Sequence, residues 1–321
     1  MTLFLTDADV RAAFAWDAAV AALRDAYAAD NTGARFPARG MARGDGSWLR
    51  TLSGVPAGTG LMGAKLIAAN MRSRRASYLI PIFDEQSADL LALLDGHSIT
   101  GFRTAATSAL AADLLSRPGP VHVAVIGSGF EARNHVRALA AVREIASVRV
   151  YSPNPASRAA FAADLPMAVE SCESADSAVS GADVVICAAR SRNETPTFQG
   201  AWLRPGMTVV SIGSTLPEQR EVDTATLARA DLIVADMVAE VRHDTGDLIT
   251  ARAEGVEVTA VALADVVAGR VKGRTDPDQV LLYKSVGAAL QDLAVAVLCL
   301  RRAHELGLGT PLPVTIHAID K

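Results

Sequence analysis

A glycine turn between an apolar run and a helical pattern constrains this chain more than any other feature. Residues 121–126 are almost entirely apolar, Gly127-Ser-Gly129 follows them, and a helical pattern extends over residues 131–142. A bound dinucleotide requires this order of strand, turn and helix, because the free N–H groups at the helix start attract its pyrophosphate. The pattern therefore predicts a dinucleotide-binding unit. The residues expected at the cofactor there are Gly127, Ser128, Gly129, Phe130 and Glu131.

Length and composition exclude several classes of protein. At 321 residues the chain favours two domains over one. No apolar run approaches the ~18 residues of a membrane span, and residues 1–9 lack the basic start of a signal peptide, so we expect a cytoplasmic protein without a membrane partner. A net charge of -4 gives no reason to expect nucleic-acid binding. The three cysteines are far apart and lack metal-type spacing, so we expect reduced thiols and no metal site.

The residues before the glycine turn have a different pattern from those after it. A helix is predicted at 16–29 and a second from about Ser98 to Leu115. Between them, short apolar stretches at 48–52, 61–69, 78–83 and 90–94 predict an antiparallel or mixed sheet.

After the break at residues 116–120 the pattern alternates between strands and helices. Strands are predicted at 121–126, 148–151, 183–188, 207–212 and 231–235. This order indicates the α/β class, with a Rossmann-type doubly wound parallel sheet. We expect a dinucleotide-binding domain at 119–306 and an α+β domain formed by 1–118 with 307–321. A long helix is predicted at 288–306 and is expected to return to the first domain.

The end of the second predicted strand bears on the choice of cofactor. NAD-binding proteins usually place an acid there for the ribose hydroxyls, but the segment from Tyr151 to Arg158 contains none. Ser152 and Asn154 can donate to a 2′-phosphate, and Arg158 can pair with it. We therefore expect NADP(H), with NAD(H) as the alternative. The structural alternative is that Arg158 is an ordinary helix-surface residue.

Three sequence blocks resemble the ornithine cyclodeaminase/mu-crystallin family of NAD(P)-dependent proteins. They are residues 93–109, which include Arg103-Thr-Ala-Ala106, then Gly63-Ala-Lys65, and Tyr283-Lys-Ser-Val-Gly287 with Leu290-Gln-Asp-Leu293. The resemblance spans nearly the whole chain. It implies that the α+β domain binds substrate and forms a homodimer. It also places the following residues at the cofactor: Thr104, Ala188, Ala189, Gly213, Ser285 and Gly287.

The resemblance further implies a carboxylate-binding site. Guanidinium groups suit carboxylates because they bond bidentately and stay charged, and both Arg39 and Arg103 match family positions. Lys65 lies between apolar residues of a strand, where a lysine is costly unless it meets an anion. We expect Arg39, Lys65 and Arg103 to bind substrate. For Arg39 the competing interpretation is a solvated surface residue, and for Lys65 and Arg103 it is a structural role.

One departure from the family pattern distinguishes between reactions. Cyclodeaminases carry Gly-x-Asp at the position that follows the strand predicted here at 207–212, whereas this chain has Gly213-Ser-Thr215. A hydroxyl cannot serve as a carboxylate base near neutral pH, whereas a preformed imine needs only a hydride and a proton. The resemblance therefore implies a reductase of a ketimine or imino acid, such as 1-pyrroline-2-carboxylate or 1-piperideine-2-carboxylate. Its expected catalytic residues are Lys65, Arg103 and Thr215.

Three alternatives remain open. The first is an amino-acid cyclodeaminase in which Glu218 or Glu221 replaces the missing acid. The second is an NAD-dependent amino-acid dehydrogenase. The third is a non-catalytic NADP-dependent binding protein of the mu-crystallin type. Among the histidines, His97 and His135 are interpreted as structural, and His243 is given no role.

Overall fold

The structure, a computed structural model, describes residues 2–31, 33–190, 193–313, 316 and 318–319. The strands are β1 (Leu3–Leu5), β2 (Gly40–Gly44), β3 (Ser47–Gly54), β4 (Leu61–Asn70), β5 (Arg75–Asp84), β6 (Leu90–Asp95), β7 (Val121–Ile126), β8 (Ile145–Tyr151), β9 (Val169–Ser171), β10 (Val184–Cys187), β11 (Thr208–Ser211), β12 (Leu232–Ala235), β13 (Ala260–Ala262), β14 (Leu281–Lys284) and β15 (Thr310–Pro311). The α-helices are α1 (Asp7–Ala13), α2 (Trp16–Ala28), α3 (His97–Leu115), α4 (Phe130–Ala140), α5 (Pro155–Asp164), α6 (Ala175–Val179), α7 (Thr224–Arg229), α8 (Val238–Asp244), α9 (Gly246–Ala253), α10 (Leu263–Val267) and α11 (Ala289–Leu306).

The chain divides into two compact units. Unit 1 comprises Met1–Arg103 with Ala288–Lys321, and unit 2 comprises Thr104–Gly287. These bounds differ from the predicted ones, which assigned residues 104–118 to the first domain and 288–306 to the second. Helix α11 belongs to unit 1 because it packs against α1, α2 and strands β3 and β4, and 11 of its residues are buried.

Unit 1 is built on a seven-stranded mixed sheet. The strand order is β15-β1-β6-β5-β4-β3-β2. Only the β1–β6 pair is parallel, and the other pairs are antiparallel. Helix α1 begins at a capping box in which Thr6 Oγ1 accepts from the Asp9 amide and the Asp9 carboxylate accepts from the Thr6 amide. The prediction of an antiparallel or mixed sheet is confirmed.

Unit 2 is built on an eight-stranded sheet in the order β13-β12-β14-β11-β10-β7-β8-β9. All of its strand pairs are parallel. The chain starts at β7, extends through β8 and β9 to one side, and then continues from β10 on the other side. The point where this direction reverses is where open α/β sheets bind ligands, outside the carboxyl ends of the strands. The Rossmann-type fold class is confirmed.

Most predicted elements occur within one to three residues of their expected bounds. Strand β14 was not predicted, although it lies at the centre of the sheet between β11 and β12. All four of its residues are buried, including Lys284. Ser98, expected to cap α3, instead lies inside its first turn, and Asp95 Oδ1 accepts from the His97 amide at 2.9 Å.

Two observations concern the environment of the chain. Within the part that the structure describes, no helix is long and apolar enough to cross a membrane. The three cysteines are free, as the sequence predicts, and the structure shows that all three are buried. Burial raises the pKa of the Cys187 thiol well above its usual value and that of the Cys299 thiol to about 12.

Candidate functional site

The carboxyl edge of the unit 2 sheet brings together most of the predicted cofactor residues. Because all its strands are parallel, their carboxyl ends meet at one edge. Beyond those ends the sequence continues with Gly127 after β7, Ser152 after β8, Ala188 and Ala189 after β10, Gly213 after β11, and Ser285 and Gly287 after β14. Parallel pairing thus collects residues from five separate turns into one region.

The glycine turn has the geometry that a pyrophosphate requires. Gly127 has a φ of 112°, in the left-handed region, and a methyl group there would lie 2.5 Å from the Ala188 carbonyl oxygen. At Gly129 no heavy atom lies within 4 Å of where a methyl group would be, and helix α4 begins at the next residue. Open space beside a helix N-terminus suits a phosphate. The residues present therefore fit a dinucleotide.

The first turn of α4 contains the remaining predicted residues of this segment. The Phe130 side chain is 40% exposed, and the Glu131 side chain is partly exposed. The Glu131 carbonyl oxygen lies 2.7 Å from His135 Nδ1, and His135 Nε2 lies 3.0 Å from Ser108 Oγ. Burial lowers the pKa of His135 to about 4, so the ring is neutral at physiological pH, which agrees with the structural interpretation of this residue.

An aspartate that sequence reasoning missed holds the turn after β14. Asp236, at the end of β12, accepts from the Ser285 hydroxyl at 2.7 Å, from the Val286 amide at 3.0 Å and from the Gly287 amide at 2.8 Å. Gly287 has a φ of 84°. One carboxylate thus fixes the segment that contains two of the predicted cofactor residues.

The segment after β8 carries the predicted 2′-phosphate residues. Asn154 Oδ1 caps helix α5 by accepting from the Ala156 and Ser157 amides. Arg158 donates to the Ser152 carbonyl at 2.7 Å and from Nη2 to the Glu173 carboxylate at 3.1 Å. Arg158 is only 4% exposed, so the alternative of an ordinary helix-surface residue is wrong.

In unit 1 a buried carboxylate lies between two of the predicted substrate residues. Asp292 Oδ1 accepts from Lys65 Nζ at 2.7 Å and from Arg103 Nε at 2.8 Å. Arg103 Nη1 also donates to Gln291 Oε1 at 2.7 Å, and Gln291 Nε2 donates to the Tyr27 hydroxyl at 2.8 Å. The sequence prediction named the two cations but missed Asp292 and Gln291 as their partners.

Burial and neighbouring charges set the protonation of this cluster. Lys65 is 1% exposed and Asp292 is completely buried. Burial lowers the pKa of Lys65 to about 8, Asp292 opposes the shift, and the nearby positive charges of Arg103 and Arg50 add to it. The charges of Lys65, Arg103 and Asp292 together leave one net positive charge, which favours an incoming anion.

The remaining predicted residues of these two groups are Arg39 and Thr104. Arg39 is partly buried in the segment immediately before β2, in unit 1. Thr104 is partly buried on α3 and belongs to unit 2. Their roles at substrate and cofactor stay predictions.

Thr215 lies in a loop that closes on itself after β11. Its amide and its hydroxyl both donate to Gln219 Oε1, at 3.0 and 3.1 Å. The Ser214 hydroxyl donates to the backbone carbonyl oxygen of Gln219 at 2.5 Å. Thr215 is partly buried, whereas Gln219 is only 5% exposed. No signal in the sequence indicated a role for Gln219.

Beneath this loop lies a fully buried polar network. Glu221 Oε2 accepts from the Ser211 hydroxyl at 2.6 Å and from the Gly213 amide at 2.7 Å. Lys284 Nζ donates to Ser211 Oγ at 2.8 Å and pairs with Asp247 Oδ2 at 2.7 Å. All of these side chains are completely buried. The available sequence signal was a lysine directly after the apolar run 280–283, which resembles the signal that singled out Lys65.

The described residues contain no group of histidine, cysteine or acidic side chains that could hold a metal ion. Unit 1 contains a buried cluster of Lys65, Arg103 and Asp292, and unit 2 contains a glycine turn that fits a dinucleotide at the carboxyl edge of its sheet. Such a fold and site define a Rossmann-type dinucleotide-binding protein with an added α+β unit.

Comparison with known proteins gives the family. A model of the ornithine cyclodeaminase/mu-crystallin family matches residues 3–306, and the chain belongs to this family, as its three sequence blocks predicted. It is 32% identical over 309 residues to a Delta(1)-pyrroline-2-carboxylate reductase of Paracoccus denitrificans, and the match covers 91% of this chain and 94% of that relative.

Two further relatives agree with this family. The ketimine reductase mu-crystallin of Mus musculus is 32% identical over 226 residues, which cover 70% of this chain and 69% of the relative. The solved structure of Thermococcus litoralis Delta(1)-pyrroline-2-carboxylate reductase, in complex with NADH and L-proline, has a TM-score of 0.88 at 26% identity. That comparison covers 97% of this chain and 100% of the other.

The Asp292 cluster predicts a large loss of stability on neutralisation. Asp292→Asn leaves the buried Lys65 and Arg103 charges without their shared carboxylate, and breaking a buried ion pair in this way costs about 3–5 kcal/mol. Urea unfolding at pH 7 measures the change. The exposed Asp25 of α2 supplies the matched control, Asp25→Asn, which we expect to stay within about 0.5 kcal/mol of wild type. Equal stability of the two variants would contradict the cluster's role.

The buried Glu221 predicts a pH-dependent stability of defined sign. Burial raises its pKa to about 7 from an ordinary 4.5, against the opposing attraction of Lys284. The folded protein then holds a proton that the unfolded chain releases, so this contribution falls as pH rises between these two values. Relative to Glu221→Gln, the wild type should lose about 3 kcal/mol between pH ~4.5 and ~7.5.

The pH dependence of stability must be measured for both wild type and Glu221→Gln, because the titration of His135 changes stability in the opposite direction. Its pKa, lowered by burial to about 4 from 6.5, makes stability rise with pH across that interval. The difference between wild type and Glu221→Gln in urea unfolding removes the His135 contribution. The exposed neighbour provides the control Glu218→Gln, whose curve should run parallel to wild type. If the stability of Glu221→Gln depended on pH in the same way as that of wild type, the predicted titration of Glu221 would be wrong.

Proposed function

We propose that this protein is a nicotinamide-dependent reductase of a ketimine or imino acid of the 1-pyrroline-2-carboxylate or 1-piperideine-2-carboxylate type. The observation that carries the proposal is the hydroxyl of Thr215 at the position where a cyclodeaminase needs an acid. Family membership and relatives that are themselves named as imino-acid reductases support it.

The two carboxyl groups that could have replaced the missing acid are poorly suited to that role. Glu221 is completely buried, and its Oε2 already accepts from Ser211 and Gly213. Glu218 is exposed to solvent rather than enclosed at the position where a cyclodeaminase has its acid. Both observations favour reduction over cyclodeamination.

The proposal gives each part of the site one chemical task. The cationic cluster of Lys65 and Arg103 binds the substrate carboxylate, with Asp292 holding both side chains in place. Thr215 Oγ1 accepts a hydrogen bond from the N–H group of the protonated imine. The glycine turn from Gly127 to Gly129 binds the cofactor pyrophosphate. When bound, the reduced nicotinamide supplies a hydride.

The overall reaction balances without a catalytic acid. The imine carbon receives the hydride and its electron pair, the C=N double bond becomes a single bond, and the nitrogen retains the proton that it already carried. The product is a cyclic secondary amino acid, and no ammonia leaves. Because the pKa of Lys65 is about 8, carboxylate affinity should weaken as pH rises above that value.

Turnover with purified protein tests the function. The protein should consume NADPH or NADH with 1-piperideine-2-carboxylate or 1-pyrroline-2-carboxylate, measured at 340 nm, and release no ammonia from ornithine or lysine. Arg103→Met should lower kcat/KM by roughly 30-fold or more because a charged contact to the carboxylate is lost. Cofactor affinity should change by no more than about threefold.

Two comparison variants and two contrary outcomes complete this test. Arg301→Met, at an exposed position of α11, is the matched control and should retain wild-type kcat/KM. Ammonia release from ornithine would instead identify a cyclodeaminase, and cofactor binding without turnover on any ketimine would identify a binding protein. Arg103→Lys keeps the positive charge but not the planar guanidinium group. Its kcat/KM should lie between those of Arg103→Met and wild type.

We also propose that NADP(H) is the preferred cofactor. The segment after β8 has no acid to accept ribose hydroxyls, and the buried Arg158 guanidinium lies beside it. Glu173, which pairs with Arg158, has a 90% exposed side chain. A 2′-phosphate can therefore replace the Glu173 carboxylate as the partner of Arg158 without moving a buried group.

This competition predicts a gain of affinity. Glu173→Gln removes the competing negative charge, so NADPH should bind about three- to tenfold more tightly while NADH affinity stays unchanged. Fluorescence titration of each cofactor measures the two constants. Glu170→Gln, at a neighbouring exposed acid that pairs with Arg149, is the control. Equal effects of Glu173→Gln on both cofactors would exclude a 2′-phosphate at Arg158.

The dimerising role of unit 1 remains part of the proposal and rests on the family resemblance. Light scattering on the purified protein gives its mass in solution, to be compared with 33.5 kDa for one chain.

A further inference from the structure

The hydrogen bonds of Gln219 determine where the hydroxyl proton of Thr215 lies. The Thr215 amide is 3.0 Å from the terminal atom of the Gln219 side chain. A backbone N–H can only donate, so that atom is the carbonyl oxygen Oε1 and the amide orientation is settled by chemistry. The Thr215 hydroxyl lies 3.1 Å from the same oxygen.

Toward a ligand, the Thr215 hydroxyl can act only as a hydrogen-bond acceptor. A carbonyl oxygen only accepts, so the single hydroxyl proton of Thr215 is donated to Gln219. The two lone pairs of Thr215 Oγ1 remain, and toward any ligand the group acts as an acceptor. Gln219 is itself held in place, because it is 5% exposed and its backbone carbonyl oxygen accepts from the Ser214 hydroxyl at 2.5 Å.

We propose that Gln219 is a positioning residue that fixes Thr215 as a hydrogen-bond acceptor, so that the site selects an N–H group at the reacting atom over an oxygen. A protonated imine carries such an N–H, whereas the ketone of a 2-oxo acid offers only lone pairs. The inference rests on the proposed function, since it takes Thr215 as the group that meets the imine nitrogen.

The physical basis is the cost of an unmatched polar group. An N–H aimed at Thr215 Oγ1 forms a hydrogen bond, whereas an oxygen in that position faces another set of lone pairs and loses its bond to water. The carboxylate-binding residues cannot make this distinction, because imino and oxo acids share that group. Discrimination between nitrogen and oxygen therefore depends on the orientation of one hydroxyl.

Two unreactive aromatic acids test the inference directly. Pyrrole-2-carboxylate and furan-2-carboxylate have nearly the same size and the same carboxylate, but the first presents a ring N–H where the second presents a ring oxygen. Calorimetric titration of the NADP⁺-saturated protein gives both Kd values. We expect wild type to bind the pyrrole at least roughly tenfold more tightly, the effect of one mismatched hydrogen bond.

Variants of the loop identify the cause of the preference. Gln219→Leu frees the Thr215 hydroxyl to rotate and donate, so the furan should bind more tightly and the Kd ratio should fall to within about threefold. Gln219→Glu restores an accepting oxygen and should restore the ratio. Thr215→Val removes the hydroxyl at nearly constant shape, and the ratio should also fall. Glu218→Gln, an exposed change in the same loop, is the control that should keep the wild-type ratio.

The outcomes separate this inference from the function on which it rests. A wild-type protein that reduces ketimines yet binds both acids equally overturns the inference alone. An unchanged ratio in Gln219→Leu overturns the role of Gln219. If that variant fails to fold, an unchanged ratio in Thr215→Val overturns the inference in its place. A wild-type protein that neither reduces ketimines nor binds either acid overturns the inference and the proposed function together.

Discussion

The carboxylate of Asp292 is the interaction on which the interior of unit 1 depends. It is completely buried and lies within 2.8 Å of both Lys65 Nζ and Arg103 Nε. Burying a lysine and an arginine without a counter-charge would cost several kcal/mol for each ion. One carboxylate therefore joins strand β4, helix α3 and helix α11. Because it serves two cations, the cluster retains a positive charge that a ligand can use.

Buried carboxylates are also important in unit 2, where they accept hydrogen bonds from backbone amides. Asp236 accepts from the amides of Val286 and Gly287, Glu221 from that of Gly213, and Asp247 from those of Glu221 and Val222. Each of these amides belongs to a segment that follows a strand of the parallel sheet. Carboxylates that accept backbone N–H groups fix such segments more firmly than neutral acceptors do. The turns at the nucleotide-binding edge are thus held from inside the protein.

Sequence alone predicted the features that depend on local pattern. Strand β7 was predicted with its observed bounds, because an apolar run ending at Gly127 signals both the strand and its turn. Strand β14 was missed because it is short and ends in Lys284, whose charge is compensated by Asp247, a residue far from it in the sequence. The burial of Arg158 was missed for a similar reason, since its carboxylate partner lies on a separate segment.

In the candidate site, too, the sequence indicated residues in local motifs but not the contacts between distant residues. Lys65 and Arg103 could be named from motifs, yet Asp292 lies 227 positions from Lys65 in the chain, and no periodicity reports a contact at that separation. Gln219 is only four residues from Thr215, but a glutamine in a loop gives no sign of which atom its side chain meets. Family resemblance therefore named the residues expected to meet ligands, whereas the groups that orient them required the fold.

The burial of every thiol has a practical consequence for spectroscopy. Thiolates are the reactive form of cysteine, and burial raises the pKa of Cys172, Cys187 and Cys299. A maleimide dye should therefore label a single cysteine introduced at the surface and leave the native thiols unmodified. The wild-type sequence thus provides a background for fluorescence and spin-label measurements of the motion of the units, with no native cysteine to be replaced first.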